Sequence, residues 1–220
     1  TRRLRAGVSL TETTAELARA LGVEVAVLPM CDEPVATMVE TDAGLLGFQD
    51  YFVRRHHADD VHGIRFDGIA AARIPDGVRR AYDEAALIVF CPSNPIVSIG
   101  PILAVPGMRD LVRGARARRV AVSPIVGGRA LRGPADRMLA GLGHEVSPLG
   151  VARLYRDLLD GMVIDHSDSD LRAAIEALGI RVLVTDAVMR TSEDRLRLAT
   201  AVVEFGYGVS PNPLSKEASA

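Results

Sequence analysis

The residue types best suited to chemistry fall in three stretches. Cys91-Pro92-Ser93-Asn94-Pro95-Ile96-Val97-Ser98-Ile99-Gly100-Pro101 follows a short, continuously apolar run. Ser93, Asn94 and Ser98 offer small polar groups, Gly100 lets a backbone approach a ligand closely, and Pro101 can open a helix whose free N–H groups attract phosphate. Ser123-Pro124-Ile125-Val126-Gly127-Gly128-Arg129-Ala130-Leu131-Arg132-Gly133-Pro134-Ala135-Asp136 sets paired glycines after a second apolar run. Backbone amides at Gly127 and Gly128, with the guanidinium forks of Arg129 and Arg132, could hold phosphate oxygens. Met30-Cys31-Asp32-Glu33-Pro34 and Phe48-Gln49-Asp50-Tyr51-Phe52-Val53-Arg54-Arg55 combine carboxylates that could bind Mg²⁺ with aromatic rings that could face a flat ligand. Each stretch also has a plain reading: a proline-stiffened βα loop, a flexible loop before a helix, and ordinary strand packing with solvated ends.

Other clusters carry less. His56, His57, Asp59, Asp60 and His62 resemble a ligand set by type but match no known metal spacing, and a solvated loop is expected. Asp165, Asp168, Asp170 and Asp186 read as helix caps and strand ends. There is no GxSxG elbow, no P-loop and no GxGxxG. No single residue is assigned as catalytic base.

Composition narrows the class. The formal charge is −2 and the isoelectric point about 6.2, so nothing general draws the chain to nucleic acid or an anionic membrane. Lys216 is the one lysine among 26 basic residues, and the arginine excess suits either phosphate recognition or mere codon bias. Two cysteines make no disulfide framework, and a reducing cytoplasm is expected. The longest apolar run, Ala85–Cys91, is far shorter than the ~20 residues of a membrane span.

The elements that must position these stretches alternate. Ser9-Leu10-Thr11-Glu12 is a capping box before an apolar helical face. Val23–Met30 alternates as a strand, and Val35–Glu40 and Phe48–Arg54 are expected to form a hairpin around Thr41–Gly44. Val61–Phe66 reads as a further strand. From Pro75 on, helices at 75–84, 101–116 (broken near Pro106), 135–142, 151–159, 168–178 and 191–203 separate strands at 86–91, 119–123, 162–165 and 181–185. Ser167 and Thr191 are the expected caps of the last two helices. The pattern predicts βαβ units: a Rossmann-like, three-layer α/β fold with a mostly parallel sheet and a β-hairpin insertion. Residues 1–210 are expected to form one domain, and 211–220 a frayed tail.

These stretches, in this order, resemble the signatures of the 2-phospho-L-lactate transferase (CofD/FbiA) family: Met30–Val35, Phe48–Arg55, Ser93–Leu103, Ser123–Gly128, Gly133–Met138 and Gly150–Ala152. The resemblance runs from about Ser9 to Val203. It implies a transferase of coenzyme F-420 biosynthesis that moves a 2-phospholactyl or phosphoenolpyruvyl group from a guanosine diphosphate-linked donor to the deazaflavin Fo. GMP is the implied leaving group, Mg²⁺ the cofactor and a homodimer the assembly. Carried over by motif, Ser93, Asn94, Pro95, Ser98, Ile99, Gly100, Gly127 and Gly128 hold the donor nucleotide, and Met30, Asp32, Gln49 and Tyr51 line the Fo pocket. The family also carries an upstream glycine-rich strand-turn-helix with metal-binding acids. The sequence opens on Thr1 and shows no such segment, so no metal ligand is assigned and these 220 residues alone are expected to be nearly inactive. The rival from the same superfamily is a nucleotide-sugar-binding regulator of the gluconeogenesis-factor type. Its corresponding loop resembles Gly-Ser-Leu-Tyr-Thr-Ser, unlike Ser93–Ser98 here. An NAD-dependent dehydrogenase would need the missing GxGxxG.

Overall fold

The computed structural model describes residues 2–208, so the expected tail at 211–220 lies outside the described residues. A short helix α1 (Arg2–Arg5) precedes α2 (Leu10–Ala20), which opens on the expected capping box: the Ser9 side chain accepts from the Glu12 amide, and the Glu12 side chain accepts from the Ser9 amide. A three-stranded antiparallel sheet follows, built from β1 (Ala36–Thr41), β2 (Gly44–Gly47) and β3 (Val61–Asp67) in the order β2-β1-β3.

The parallel part contains α3 (Asp76–Glu84), β4 (Leu87–Phe90), α4 (Ile99–Ala104), α5 (Met108–Gly114) and β5 (Arg118–Val122). A small hairpin, β6 (Ile125–Val126) and β7 (Arg129–Ala130), leads to α6 (Ala135–Gly141) and α7 (Pro148–Leu154). Then come β8 (Gly161–Asp165), α8 (Arg172–Glu176), β9 (Arg181–Thr185) and α9 (Ser192–Gly208). The sheet order is β4-β5-β8-β9, parallel throughout.

Side chains along a strand alternate between faces, and that alternation makes the layers. Ala121, Met162 and Ile164 join Met108, Val112, Leu139, Val151 and Ile175 in the main core on one face. Val120, Val122 and Val163 turn the other way, against Leu198 and Val202 of α9. All five residues of β8 are buried, as a central parallel strand requires. The fold is therefore three-layered α/β with the antiparallel sheet as the insertion.

The structure corrects several expectations. Val23–Met30 is not a strand: Val25 is 71% exposed, and among the described residues no neighbouring strand offers it a hydrogen-bond ladder, without which alternation cannot become a strand. The hairpin forms around the expected turn, but its second strand is Gly44–Gly47. Phe48–Arg54, expected as strand, is helical, with a π-turn at Asp50–Arg54. Groups four residues apart meet there: Phe48 and Phe52 stack with centroids 5.6 Å apart, and Arg54 pairs with Asp50 at 2.8 Å. The helix expected at 151–159 starts earlier, at Pro148, and ends at Leu154. The cap expected at Ser167 belongs instead to Asp165, whose carboxylate accepts the Ser167 amide at the head of a 3₁₀ segment, 166–171. Thr191 does cap α9: its hydroxyl accepts the Asp194 amide at 3.2 Å, while the Asp194 carboxylate accepts the Arg190 and Thr191 amides.

Candidate active site

Parallel strands all end on one edge, and ligands of such sheets bind beyond their carboxyl ends. A cavity of about 200 Å³ lies there. It is walled by Pro92 and Asn94 after β4, by Ser123, Pro124 and Val126 after β5, and by Ala187 and Met189 after β9. The Asn94 turn and the turn after β5, separate in sequence, thus share one cavity.

Asn94 organises its turn from within. Its side-chain carbonyl accepts the Ile96 and Val97 amides at 2.9 and 3.3 Å, its amide nitrogen lies 3.3 Å from Met138 Sδ, and its backbone carbonyl accepts the Ser98 and Ile99 amides. This Asx arrangement turns Ile96 and Val97 into the small core of Val39, Tyr51, Val61 and Met138. The antiparallel sheet therefore buttresses the turn. Ser93 is part-buried, Pro95 buried and Ser98 exposed. Ser98 precedes α4 without a side-chain capping bond. Gly100 belongs to packing: a Cβ there would lie 3.2 Å from the Pro95 carbonyl and 3.4 Å from the Phe66 ring.

The paired glycines have a definite use. Gly127 and Gly128 both adopt positive φ, +56° and +75°, the requirement of a tight two-residue hairpin. The Gly127 amide does not point at open space; it donates to the Asp168 carboxylate at 3.0 and 3.2 Å. The Ser123 hydroxyl is likewise engaged, donating to the Ile125 carbonyl at 2.8 Å. Asp165, at the end of β8, accepts the Ser167 amide and hydroxyl and the Ala187 amide, and so ties the ends of β8 and β9 together.

The two buried carboxyls titrate in opposite directions. Burial raises Asp165, but its three hydrogen bonds outweigh that and hold it below the ordinary carboxylate range. Burial raises Asp168 above that range; the Gly127 amide opposes this in part, and the charges of Asp165 and Asp170 add to it. The stability that a carboxyl with a raised folded value contributes is fully present below its unfolded value and is lost as pH rises through the folded one. Asp168→Asn keeps an acceptor for Gly127 but has no charge to bury. Its stability relative to the parent, read from urea midpoints, is expected to improve with rising pH across the window that opens at the ordinary carboxylate value and closes above the raised one of Asp168. An unchanging difference across that window would disprove the burial cost.

The residues expected around Fo lie on different elements. Met30 borders an apolar cavity of about 300 Å³ with Leu28, Tyr82, Ile88 and Met108. The Asp32 carboxylate accepts the Thr11 amide at 2.7 Å, in the first turn of α2. Gln49 is exposed, whereas Tyr51 is 0% exposed and its hydroxyl has no partner among the described residues. In the histidine-rich loop Arg55 pairs with Asp59 at 2.5 Å and His62 with Asp42 at 2.6 Å. Among the described residues no group of three or more His, Cys, Asp or Glu is placed to hold a metal ion. Mg²⁺ is commonly held by carboxylates together with substrate phosphates, and none of the residues lining the cavity is acidic. The described residues of the cavity therefore do not fit this ion.

Sequence reasoning missed Ala187 and Met189. A signal for them exists: the apolar pattern places β9 at its observed residues, and the segment beyond a parallel strand is where a ligand site is expected. No helix among the described residues is long and apolar enough to cross a membrane.

Comparison with known proteins gives a consistent picture. The family model described as 2-phospho-L-lactate transferase CofD matches residues 1–202. A 2-phospho-L-lactate transferase of Methanosarcina acetivorans is 42% identical over 200 residues, covering 91% of this chain and 64% of its own length. A phosphoenolpyruvate transferase of Kitasatospora aureofaciens is 42% identical over 208 residues, covering 90% of this chain and 65% of its own. The chain thus spans less than two thirds of these relatives' length. A crystal structure of a UPF0052 family protein from Bacillus halodurans superimposes with a TM-score of 0.67 at 14% identity, over 91% of this chain and 68% of that one, which is a likeness of fold.

Proposed function

The chain belongs to the CofD family, and from that premise we propose that it is the larger part of a transferase that moves a 2-phospholactyl or phosphoenolpyruvyl group from a guanosine diphosphate-linked donor to the hydroxyl of the deazaflavin Fo. The observation that carries this reading is the single cavity formed by the Asn94 turn and the Ser123–Val126 turn beyond the ends of β4 and β5. In the reaction the ribityl oxygen of Fo bonds to the phosphorus that bears the lactyl or enolpyruvyl group. The bond from that phosphorus to the bridging oxygen breaks, GMP leaves with the electron pair, and the hydroxyl proton is lost. Such transfer depends on alignment and on stabilising charge more than on covalent help from the protein. The rigid Asn94 turn, fixed by its own side chain and by the core behind it, suits the holding of phosphates in line. The setting expected is coenzyme F-420 biosynthesis in the cytoplasm, by a homodimer.

A ligand that binds only the folded state raises its stability, by about 2.7 kcal/mol at a hundred times Kd. Thermal unfolding of the chain with GDP, a UDP-sugar and Fo is therefore expected to show stabilisation by GDP and none by the UDP-sugar. Stabilisation by the UDP-sugar alone would replace the transferase with a nucleotide-sugar-binding regulator.

A further inference from the structure

Arg132 and Arg195 both line the same cavity. Arg132 stands on the loop between β7 and α6, and Arg195 in the first turn of α9, sixty-three residues further along the chain. No motif marks Arg195. Both are exposed, and neither guanidinium has a hydrogen-bond or ion-pair partner among the described residues.

The carboxylates near Arg195 are already committed. Asp194 accepts the Arg190 and Thr191 amides and pairs with Arg197, and these contacts hold its carboxyl down to about 2. Asp186 pairs with Arg197 at 3.1 Å. Thr191 caps α9 by accepting the Asp194 amide, and the helix end itself is not invoked as the anion site. What remains at the cavity is two unpaired guanidiniums and no acid. An arginine fork matches two phosphate oxygens at once.

We infer that Arg132 and Arg195 are the two arms of a clamp for the paired phosphates of a nucleoside diphosphate, closing on them from the hairpin side and from α9. This rests on the proposed reading of the cavity as the donor site and adds to it the residues that meet the donor's charge. The clamp recognises phosphate, so the base and sugar contribute nothing to it, and its strength falls as salt rises.

The test is calorimetric titration of the 220-residue chain with GDP, inorganic pyrophosphate and guanosine. Arg195→Met and Arg132→Met are each expected to weaken GDP and pyrophosphate about tenfold and to flatten the salt dependence, with Arg195→Lys intermediate because it keeps charge but not the fork. Guanosine binding should not change. Arg190→Met removes a nearby exposed charge that does not line the cavity, and should alter GDP affinity by less than about twofold. Unfolding midpoints establish that each variant is folded. If Arg195→Met matches the parent, or Arg190→Met weakens GDP as much, while Asn94→Ala still abolishes binding, the clamp is wrong and the donor site stands. If the unsubstituted chain binds neither GDP nor pyrophosphate, both fall together.

Discussion

Replacing Asp160 by alanine is expected to lower the stability of the fold by about 3–5 kcal/mol, because it strands a buried arginine. Arg119 and Asp160 are 4% and 1% exposed, and their side chains form a two-pronged pair, Nε to Oδ2 at 3.0 Å and Nη2 to Oδ1 at 2.8 Å. Asp160 Oδ2 also accepts the Arg119 amide at 2.9 Å. The remaining Arg119 nitrogen donates to the Arg113 carbonyl at 2.8 Å. The Asp160 backbone reaches both neighbours, donating to Arg119 and accepting from Arg181. The pair therefore pins β5, β8 and β9 at their amino ends, opposite the cavity. For a domain of this size the loss corresponds to a fall of about 6–20 °C in Tm. The exposed pair Arg172–Glu176 is the comparison: at 57% and 41% exposure its removal should cost no more than about 0.5 kcal/mol. Equal small losses for both, in urea unfolding, would show that the buried pair is not a fastening.

Gly150→Ala is expected to be comparably severe, about 3 kcal/mol or more, through collision with backbone. A Cβ on Gly150 would stand 1.9 Å from the Glu145 carbonyl oxygen and 2.8 Å from its carbon. Neither atom is the tip of a side chain that could swing aside. Gly150 lies in the first turn of α7, where its amide donates to the Ser147 cap at 3.0 Å, and its neighbours Leu149, Val151 and Ala152 are buried. Since α7 packs against the 166–171 segment, a displaced α7 also disturbs Asp168 and the Gly127 turn that it holds. Gly114 is the internal control. It ends α5, and no atom lies within 4 Å of where an added methyl group would stand, so Gly114→Ala should be neutral or stabilise by up to about 1 kcal/mol through the unfolded state. If Gly150→Ala unfolds at the parent's urea concentration, α7 is not seated as described.

The parallel half of the molecule was legible because its signals are local and redundant. Leu87–Phe90 lies in an apolar run that stops at Pro92, and Met162–Ile164 is an apolar run closed by Asp165; such runs have few places to go except the middle of a sheet. Ser9 and Thr191 announce their helices by capping chemistry that needs nothing distant. The misreadings share a cause: they needed tertiary information. Val23–Met30 has strand periodicity but no partner among the described residues. Phe48–Arg54 has strand-forming residues, yet contacts four apart take it into a helical turn. At the site, the Asn94 and Ser123–Val126 turns were visible as loops after buried strands. Asp168 reaching Gly127 across forty-one residues, and Arg195 sharing a cavity with Arg132, have no sequence pattern that would announce them.

The central claim is that the paired phosphates of a guanine nucleotide sit beyond the ends of β4 and β5. Diffraction from crystals of the chain soaked in GDP tests it most directly. The expected result is density for both phosphates in the cavity between Asn94 and the Arg132-bearing loop, within hydrogen-bonding reach of Arg195. Phosphate density on any other face of the sheet, with that cavity vacant, would contradict it.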